Sequence, residues 1–290
     1  MSHAHAPAAS GRFAAAFAVT ASLVVLKALG AWAGHSLALG ADAAHSLGDV
    51  GALGLAWYAD RQRHRPPTAA LTFGWGRVEI LVGLLNALVL WGMAGVLGWI
   101  AIRQWTHPTE ASAGIMAIAS AVALGVNGVL AWGFRDPKDM NRQSTLWHLL
   151  TDAMGSFGVL VGAGILAATG WQPVNAVVTL GIAILMVWGP WSIIRDTLRI
   201  LLEATPAAVP IADITGRMEA IPGVARVHDL HVWAVGSQQW ALACHVEMVE
   251  SPPSAQTVLC DLHECLAGYG IDHTTIQLET AEEVHTEPPW

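Results

Sequence analysis

The chain has 290 residues, 54% of them hydrophobic and only 12% charged, about half the charged fraction of a soluble protein. Its formal net charge of -8, with no basic stripe to track a phosphate backbone, excludes nucleic acid as a partner. Three cysteines, Cys244, Cys260 and Cys265, are too few and too unevenly spaced for a disulfide framework, so reduced thiols in a cytosolic domain are expected.

Met1 to Gly11 is short and polar, with no basic region ahead of an apolar run and no cleavage site, so no cleaved signal peptide is expected. Residues 1–12 read as a cytoplasmic N-terminus. Six apolar stretches then approach the roughly 20 residues a membrane span needs. They run approximately Phe13–Trp32, Ser36–Tyr58, Val78–Ile102, Ala113–Phe134, Thr145–Ala168 and Val174–Ile194. Frequent Gly and Ala suit closely approaching membrane helices. Trp32, Trp57, Trp105, Trp132, Trp171 and Trp191 fall near predicted ends, as an interfacial aromatic belt requires. Arg12, Arg61, Arg63, Arg65, Arg77, Arg135, Lys138, Arg142, Arg195 and Arg199 all fall on one side of this arrangement, which makes both termini cytoplasmic. The short links between spans one and two, and five and six, predict antiparallel hairpins. The expected transport domain is thus an all-α, six-helix membrane unit over residues 13–206.

After Glu203-Ala204-Thr205-Pro206 the composition becomes that of a small soluble domain, residues 207–280. Val209–Ala220 reads as a helix, Val224–Val235 and Trp240–Val249 as strands around a Gly236-Ser237-Gln238-Gln239 turn, Ser254–Ala267 as a helix with Ser254 as N-cap, and Ile271–Glu279 as a third strand. The order α-β-β-α-β predicts a small α+β sandwich, one sheet covered by two helices. Residues 281–290 read as a flexible acidic tail.

One pattern occurs twice inside the apolar segments. Ala41-Asp42-Ala43-Ala44-His45-Ser46-Leu47-Gly48-Asp49 and Trp147-His148-Leu149-Leu150-Thr151-Asp152 each place an Asp four residues after a His, on one helix face. Ionisable groups within membrane spans are costly and usually functional. His45, Asp49, His148 and Asp152 together would offer two nitrogens and two oxygens, a set suited to a tetrahedral divalent ion, zinc above all. Both Asp residues lie about 14 Å from the cytoplasmic ends of their spans at 1.5 Å per residue. Empty, these groups must take up protons or stay in contact with water, so metal and protons compete for the same atoms. Asp42 shares the face of His45 and Asp49 and reads either as an entry group or proton relay, or as a helix-pinning group. Asn86 and Asn127 read as helix–helix hydrogen-bonding residues, and Lys27 as a snorkelling residue.

In the soluble domain, strand alternation sets His228 opposite Glu247, with His245 as its diagonal neighbour. Glu279 could join them, and His273 shares its face. The alternative is a solvated sheet carrying His and Glu. His231 is expected to face the other way, beside Cys244, as a packing residue. His263 reads as exposed, and His3 and His5 as part of a mobile terminus, with a ligand donated in trans as the alternative.

These motifs carry a resemblance. The His/Asp segments, together with Phe73-Gly74-Trp75-Gly76-Arg77-Val78-Glu79-Ile80 and Leu201-Leu202-Glu203-Ala204-Thr205-Pro206, resemble those of the cation diffusion facilitator family over nearly the whole chain. The resemblance implies a homodimer that exports zinc, and in some members cadmium or cobalt, from the cytosol in exchange for protons by alternating access. The family's transport ligands fall on His45, Asp49, His148 and Asp152, and the His in each pair points to the zinc-preferring branch. The resemblance also implies a cytoplasmic metal site on His228, His245 and Glu279, with His273 at a position used in some members, steadying the dimer. Two family features are missing. Arg65-Pro66-Pro67-Thr68-Ala69-Ala70-Leu71-Thr72 has no ligand cluster beyond His64, and Arg135-Asp136-Pro137-Lys138-Asp139 has no His.

The expected partners are therefore a second copy of the chain, membrane lipid, divalent metal and protons. No prosthetic group is expected; zinc is substrate and, in the soluble domain, a structural or regulatory ion. A bacterial inner membrane is the expected location. An intramembrane metalloenzyme would need an open coordination position and a general base, and no His-Glu-x-x-His is present. The remaining alternatives are a membrane metal sensor without transport, separable by flux, and metal uptake, since the sequence sets topology but not the net direction of movement.

Overall fold

The computed structural model describes residues 7–63, 65–133, 140–236 and 239–280, with backbone alone for residues 7–17, Leu53, Ala56, Asp60, Arg63, residues 140–145, Trp147 and His148. The expectations for His3, His5, His64, the Arg135–Asp139 link, the hairpin tip and the acidic tail lie outside the described residues, as does the side chain of His148. Seven helices come first: α1 (Pro7–Ala33), α2 (Leu37–Arg63), α3 (Arg77–Thr106), α4 (Ala113–Gly133), α5 (Met140–Thr169), α6 (Val174–Trp188) and α7 (Trp191–Leu201). They are followed by α8 (Ile211–Glu219), β1 (Val224–Gly236), β2 (Gln239–Met248), α9 (Ala255–Ala267) and β3 (His273–Glu279). The chain divides into two compact units, residues 1–55 with 85–192 and residues 56–84 with 193–290.

Among the described residues, four helices are long and apolar enough to cross a membrane: Arg77–Thr106, Ala113–Gly133, Leu149–Thr169 and the broken Val174–Leu201. A shorter apolar helix covers Ala18–Ala33. Because α2 carries Asp42, His45, Asp49 and the charged residues near its C-terminus, apolarity alone does not single it out. Val25, Leu29, Val96, Ile118, Val129, Phe157 and Ile184 face outward from their helices, as do the tryptophans expected at span ends. Large apolar side chains so displayed need a lipid rather than an aqueous neighbour.

In the first unit, Leu39, Met116, Val159, Leu166, Ile182 and Met186 form the centre of the packed core. The most extensive helix packing is between α4 and α5. Helix α2 starts at a built cap. The Oγ of Ser36 accepts from the Leu39 amide at 3.2 Å, while Asn175 Oδ1 on α6 accepts from Ser36 Oγ at 3.0 Å and from the Ala38 amide at 2.9 Å. These bonds satisfy donors that every helix start leaves orphaned, and they fix the register of α2, hence of His45 and Asp49.

The sixth apolar segment continues past the expected end at Ile194. It breaks at Gly189-Pro190, where proline has no N–H to donate, and resumes as α7 to Leu201. Trp91 Nε1 donates to the carbonyl of Val187 at 2.9 Å, and the Trp91 ring stacks on Trp191 at 5.9 Å. The indole thus occupies a carbonyl that the break leaves without its helical donor. Helix α7 ends in a Schellman arrangement, with Ala204 N bonded to Arg199 O and Glu203 N to Ile200 O, and Glu203 in the left-handed region at φ 56°.

The second unit contains the expected α-β-β-α-β domain. The sheet order is β1-β2-β3, with β1–β2 antiparallel and β2–β3 parallel. One face packs Leu242 and Val246 against Ile214 and Met218 of α8 and Val258, Leu262 and Leu266 of α9. Ser254 caps α9, its Oγ accepting from the Thr257 amide at 3.1 Å. Gly223, at φ 102°, turns the chain into β1 so tightly that a Cβ there would meet Pro253 Cδ at 2.8 Å and Val258 Cγ2 at 2.9 Å.

Candidate metal centres

Two separate clusters of ligating side chains occur among the described residues, one in each unit. In the first, α2 supplies His45 and Asp49 from one face, and α5 supplies Asp152. One ligating atom from each lies within 4.8 Å of the others. His45 Nε2 and Asp49 Oδ2 are 3.7 Å apart, with the two side chains 16% and 21% exposed, whereas Asp152 is buried. Ligand atoms at the corners of a tetrahedron, each about 2.0–2.1 Å from zinc, are separated by about 3.3 Å. The cluster therefore needs only small side-chain movements to close on such an ion. His148 lies one helical turn before Asp152 on the same helix.

Behind this cluster runs a buried polar network. Lys27 on α1 is wholly buried, its Nζ 3.0 Å from Asp42 Oδ2 and donating to Ser46 Oγ at 2.9 Å. Ser46 Oγ donates to Asp152 Oδ1 at 3.2 Å, and Ser156 Oγ donates to Asp42 Oδ2 at 3.0 Å. Lys27 is thus not a snorkelling residue. Its ammonium stays inside because a carboxylate and a hydroxyl receive it there, which makes burial tolerable. Asp42 pins helices, one of the two roles expected of it. Gly155 makes room for it: a Cβ there would stand 2.8 Å from Asp42 Oδ1. Asn127 is buried, and among the described residues neither its amide nitrogen nor its oxygen has a hydrogen-bond partner, so the expected helix–helix bond is not found there. The helix-joining asparagine is instead Asn175, foreshadowed only by its polarity at the start of an apolar helix.

The second cluster lies on the sheet face opposite α8 and α9. It joins His228 of β1, His245 of β2 and Glu279 of β3 within 4.8 Å. Glu279 is buried. His245 Nδ1 lies 2.8 Å from its Oε1, His228 Nε2 lies 3.2 Å from its Oε2, and Gln277 Nε2 donates to Oε1 at 2.9 Å. Burial pushes the Glu279 carboxyl up, but the His228 hydrogen bond, the charges of His245 and His228 and the Gln277 bond outweigh it and hold it below the usual glutamate range. Glu247 Oε1 is 3.7 Å from His228 Nε2. Two imidazoles and a carboxylate fit a zinc ion that completes its shell with water or a further ligand.

The register differs from strict alternation. His228 pairs directly with His245, and Arg226 rather than His228 pairs with Glu247. A bulge between His228 and His231, with Asp229 in the left-handed region at φ 47°, shifts the pairing. The bulge also turns His231 outward. It is exposed and bound to Asp229 Oδ1 at 2.7 Å, so it is not a packing residue beside Cys244. His273 does not join the cluster. It lies six residues from Glu279 on β3, about 20 Å away at 3.3 Å per residue, and its ring meets Phe73 edge-on at 5.1 Å. His263 is exposed as expected, its Nδ1 2.6 Å from the Leu259 carbonyl.

The cation efflux transmembrane domain family matches residues 13–202, and the cytoplasmic domain of cation efflux proteins matches residues 206–281. The zinc transporter ZitB of Escherichia coli is 34% identical over 270 residues, covering 91% of this chain and 85% of its own length. The cadmium, cobalt and zinc/H(+)-K(+) antiporter of Bacillus subtilis is 28% identical over 275 residues, with 93% and 88% covered. A solved metal-bound C-terminal domain of the CzcD transporter from Cuprividus metallidurans is 38% identical, with a TM-score of 0.24, covering 24% of this chain and 99% of that one. With both domain families matched along its length, the chain is a multi-pass membrane protein of the cation efflux (cation diffusion facilitator) family, of the zinc type, a family of transporters rather than enzymes.

Proposed function

We propose that this protein is a homodimeric secondary transporter that removes divalent metal, zinc foremost with cadmium and cobalt as further candidates, from the cytoplasm in exchange for protons. The reading rests above all on the convergence of His45, Asp49 and Asp152 from α2 and α5 at a partly accessible point, with His148 one turn away on α5. In this reading residues 13–206 form a six-span transport domain, with α2 as one span and α6 with α7 as the last. Residues 1–12, the domain at 207–280 and the tail at 281–290 lie in the cytoplasm, in bacteria beneath the inner membrane.

The exchange follows from charge. Zinc bound by two imidazoles and two carboxylates is electrically neutral, which makes an ion within the membrane tolerable. Without zinc the same ligand atoms are open to protons, so metal and protons compete for them. Each turnover therefore carries metal one way and protons the other, as helix groups rock to open the site to each side in turn. Residues of this chain supply the ligands, hold their orientation and accept the return protons; no covalent step is involved. His228, His245 and Glu279 hold a further zinc ion that ties the three strands together and steadies the dimer. The name of the Bacillus subtilis relative, a zinc/H(+)-K(+) antiporter, supports proton coupling.

Proton coupling is tested with a pH-sensitive dye inside proteoliposomes that contain the purified protein. Zinc added outside should enter as protons leave, alkalinising the lumen in proportion to the zinc moved. Zinc flux with no change in lumenal pH, when counter-ions are clamped, would remove the proton from the mechanism. Tight zinc binding with no flux would favour a sensor.

A further inference from the structure

We propose that Lys27 is a positioning residue for the transport site, setting the orientation of the Asp152 carboxylate through Ser46. The proposal rests on the reading of Asp152 as a transport ligand. An ammonium has three donors and no acceptor, and a serine hydroxyl has one hydrogen. Lys27 Nζ donates to Ser46 Oγ at 2.9 Å, so the oxygen of Ser46 is engaged as acceptor and its single hydrogen is directed onward, to Asp152 Oδ1 at 3.2 Å. The chain of donors therefore has one sense, from α1 through α2 to α5. A serine without the lysine behind it would be equally able to rotate and donate elsewhere.

The anchor of this chain is itself fixed. Asp42 Oδ2 holds the ammonium at 3.0 Å and accepts from Ser156 at 3.0 Å, and the side chains of Lys27, Asp42, Ser46, Ser156 and Asp152 are all buried. Lys27 and Asp42 cancel in charge. The network consequently orients a ligand oxygen without adding net charge beside the metal, leaving the ligands alone to neutralise it. Groups hydrogen-bonded behind a metal ligand commonly change metal affinity by about 10- to 100-fold when removed. A mere helix pin would instead govern how much protein folds.

Initial zinc flux over a range of zinc concentrations, in proteoliposomes of the full-length protein, separates the two. Lys27→Met is paired with Asp42→Asn so that no charge is left buried alone. The expected result is an apparent KM for zinc raised about 10-fold or more by Ser46→Ala and by Lys27→Met/Asp42→Asn. Maximal flux per folded dimer changes far less. The triple variant is no worse than either, because both act through one bond. Lys27→Gln/Asp42→Asn, which keeps a donor for Ser46, recovers affinity relative to the Met form. An unchanged KM in Ser46→Ala or in the Met pair, or effects that multiply in the triple variant, would overturn the proposal. If the Met pair fails to fold, Lys27→Gln/Asp42→Asn should keep a KM near the wild-type value and Ser46→Ala in that background should raise it about 10-fold; an unchanged KM on adding Ser46→Ala would overturn the proposal. Asp152→Ala distinguishes the underlying reading: wild-type zinc affinity in that variant removes Asp152 from the site, whereas its loss beside unchanged Ser46 and Lys27 variants removes only the positioning role.

Discussion

Replacing Glu279 by Gln isolates the charge at the centre of the C-terminal cluster while keeping its shape. The buried carboxylate faces His245 Nδ1 at 2.8 Å, His228 Nε2 at 3.2 Å and Gln277 Nε2 at 2.9 Å. An amide keeps only one of the two acceptor oxygens, so at least one charge-assisted hydrogen bond is lost, worth about 1.5–3 kcal/mol. At about 1.4 kcal/mol per decade, amides of β3 should exchange with deuterated solvent roughly 10- to 100-fold faster in the variant, once corrected for intrinsic rates. The pH dependence has a definite sign. Because the folded-state pKa of Glu279 is lowered, its stabilisation is fully present above the unfolded glutamate value of about 4.3 and is lost as pH falls through the folded value. Protection of β3 in the wild type should therefore decline only in acid, and in Glu279→Gln this acid-dependent component should be absent. Zinc at about 100 times its dissociation constant should add about 2.7 kcal/mol of protection to the wild type alone. Equal β3 exchange in both proteins, with and without zinc, would refute the reasoning.

Three further outcomes follow from local geometry. Gly155→Ala places a methyl 2.8 Å from Asp42 Oδ1, so α2 and α5 must separate or Asp42 must leave Lys27; zinc flux in reconstituted vesicles should fall at least about 10-fold, and wild-type flux would show the approach to be unnecessary. Gly223→Ala combines a φ of 102° with contacts to Pro253 and Val258 under 3 Å; it should destabilise the C-terminal domain by about 2 kcal/mol or more, seen as faster amide exchange across β1 and α9. Burial pushes the Cys244 thiol up to about 12, so at pH 8 it stays protonated and resists iodoacetamide while exposed Cys260 is alkylated; mass mapping that finds Cys244 modified first would contradict its place in the core.

The sequence made the apolar helices legible because hydropathy reports directly on what a segment must touch. It also showed the paired His45/Asp49 and His148/Asp152 faces, since four-residue spacing is a local property of a helix. The Ser254 cap and the α-β-β-α-β succession of elements were readable for the same local reasons. What stayed hidden depends on contacts between distant residues. Lys27 lies near the end of α1, where snorkelling is the usual outcome, and only the arrival of Asp42 and Ser46 from α2 keeps it inside. Ser156 follows Asp152 by one turn, so its face was readable, but not its bond to Asp42. The irregularities between Ala234 and Gly236 and at Asp229 cannot be read from alternation; together they pair His228 with His245, and the one at Asp229 turns His231 outward. The sixth span reads as unbroken to Ile194, and the break at Gly189-Pro190 departs from that reading; beyond it the chain resumes as helix where Trp91 and Trp191 pack.

The most direct test of the central claim is zinc flux into proteoliposomes under an imposed pH gradient, comparing the wild type with Asp49→Ala and Asp152→Ala. The account predicts zinc movement that follows the proton gradient in the wild type and is lost in both variants, each still folded and dimeric. Gradient-driven zinc flux that survives in either variant would contradict it.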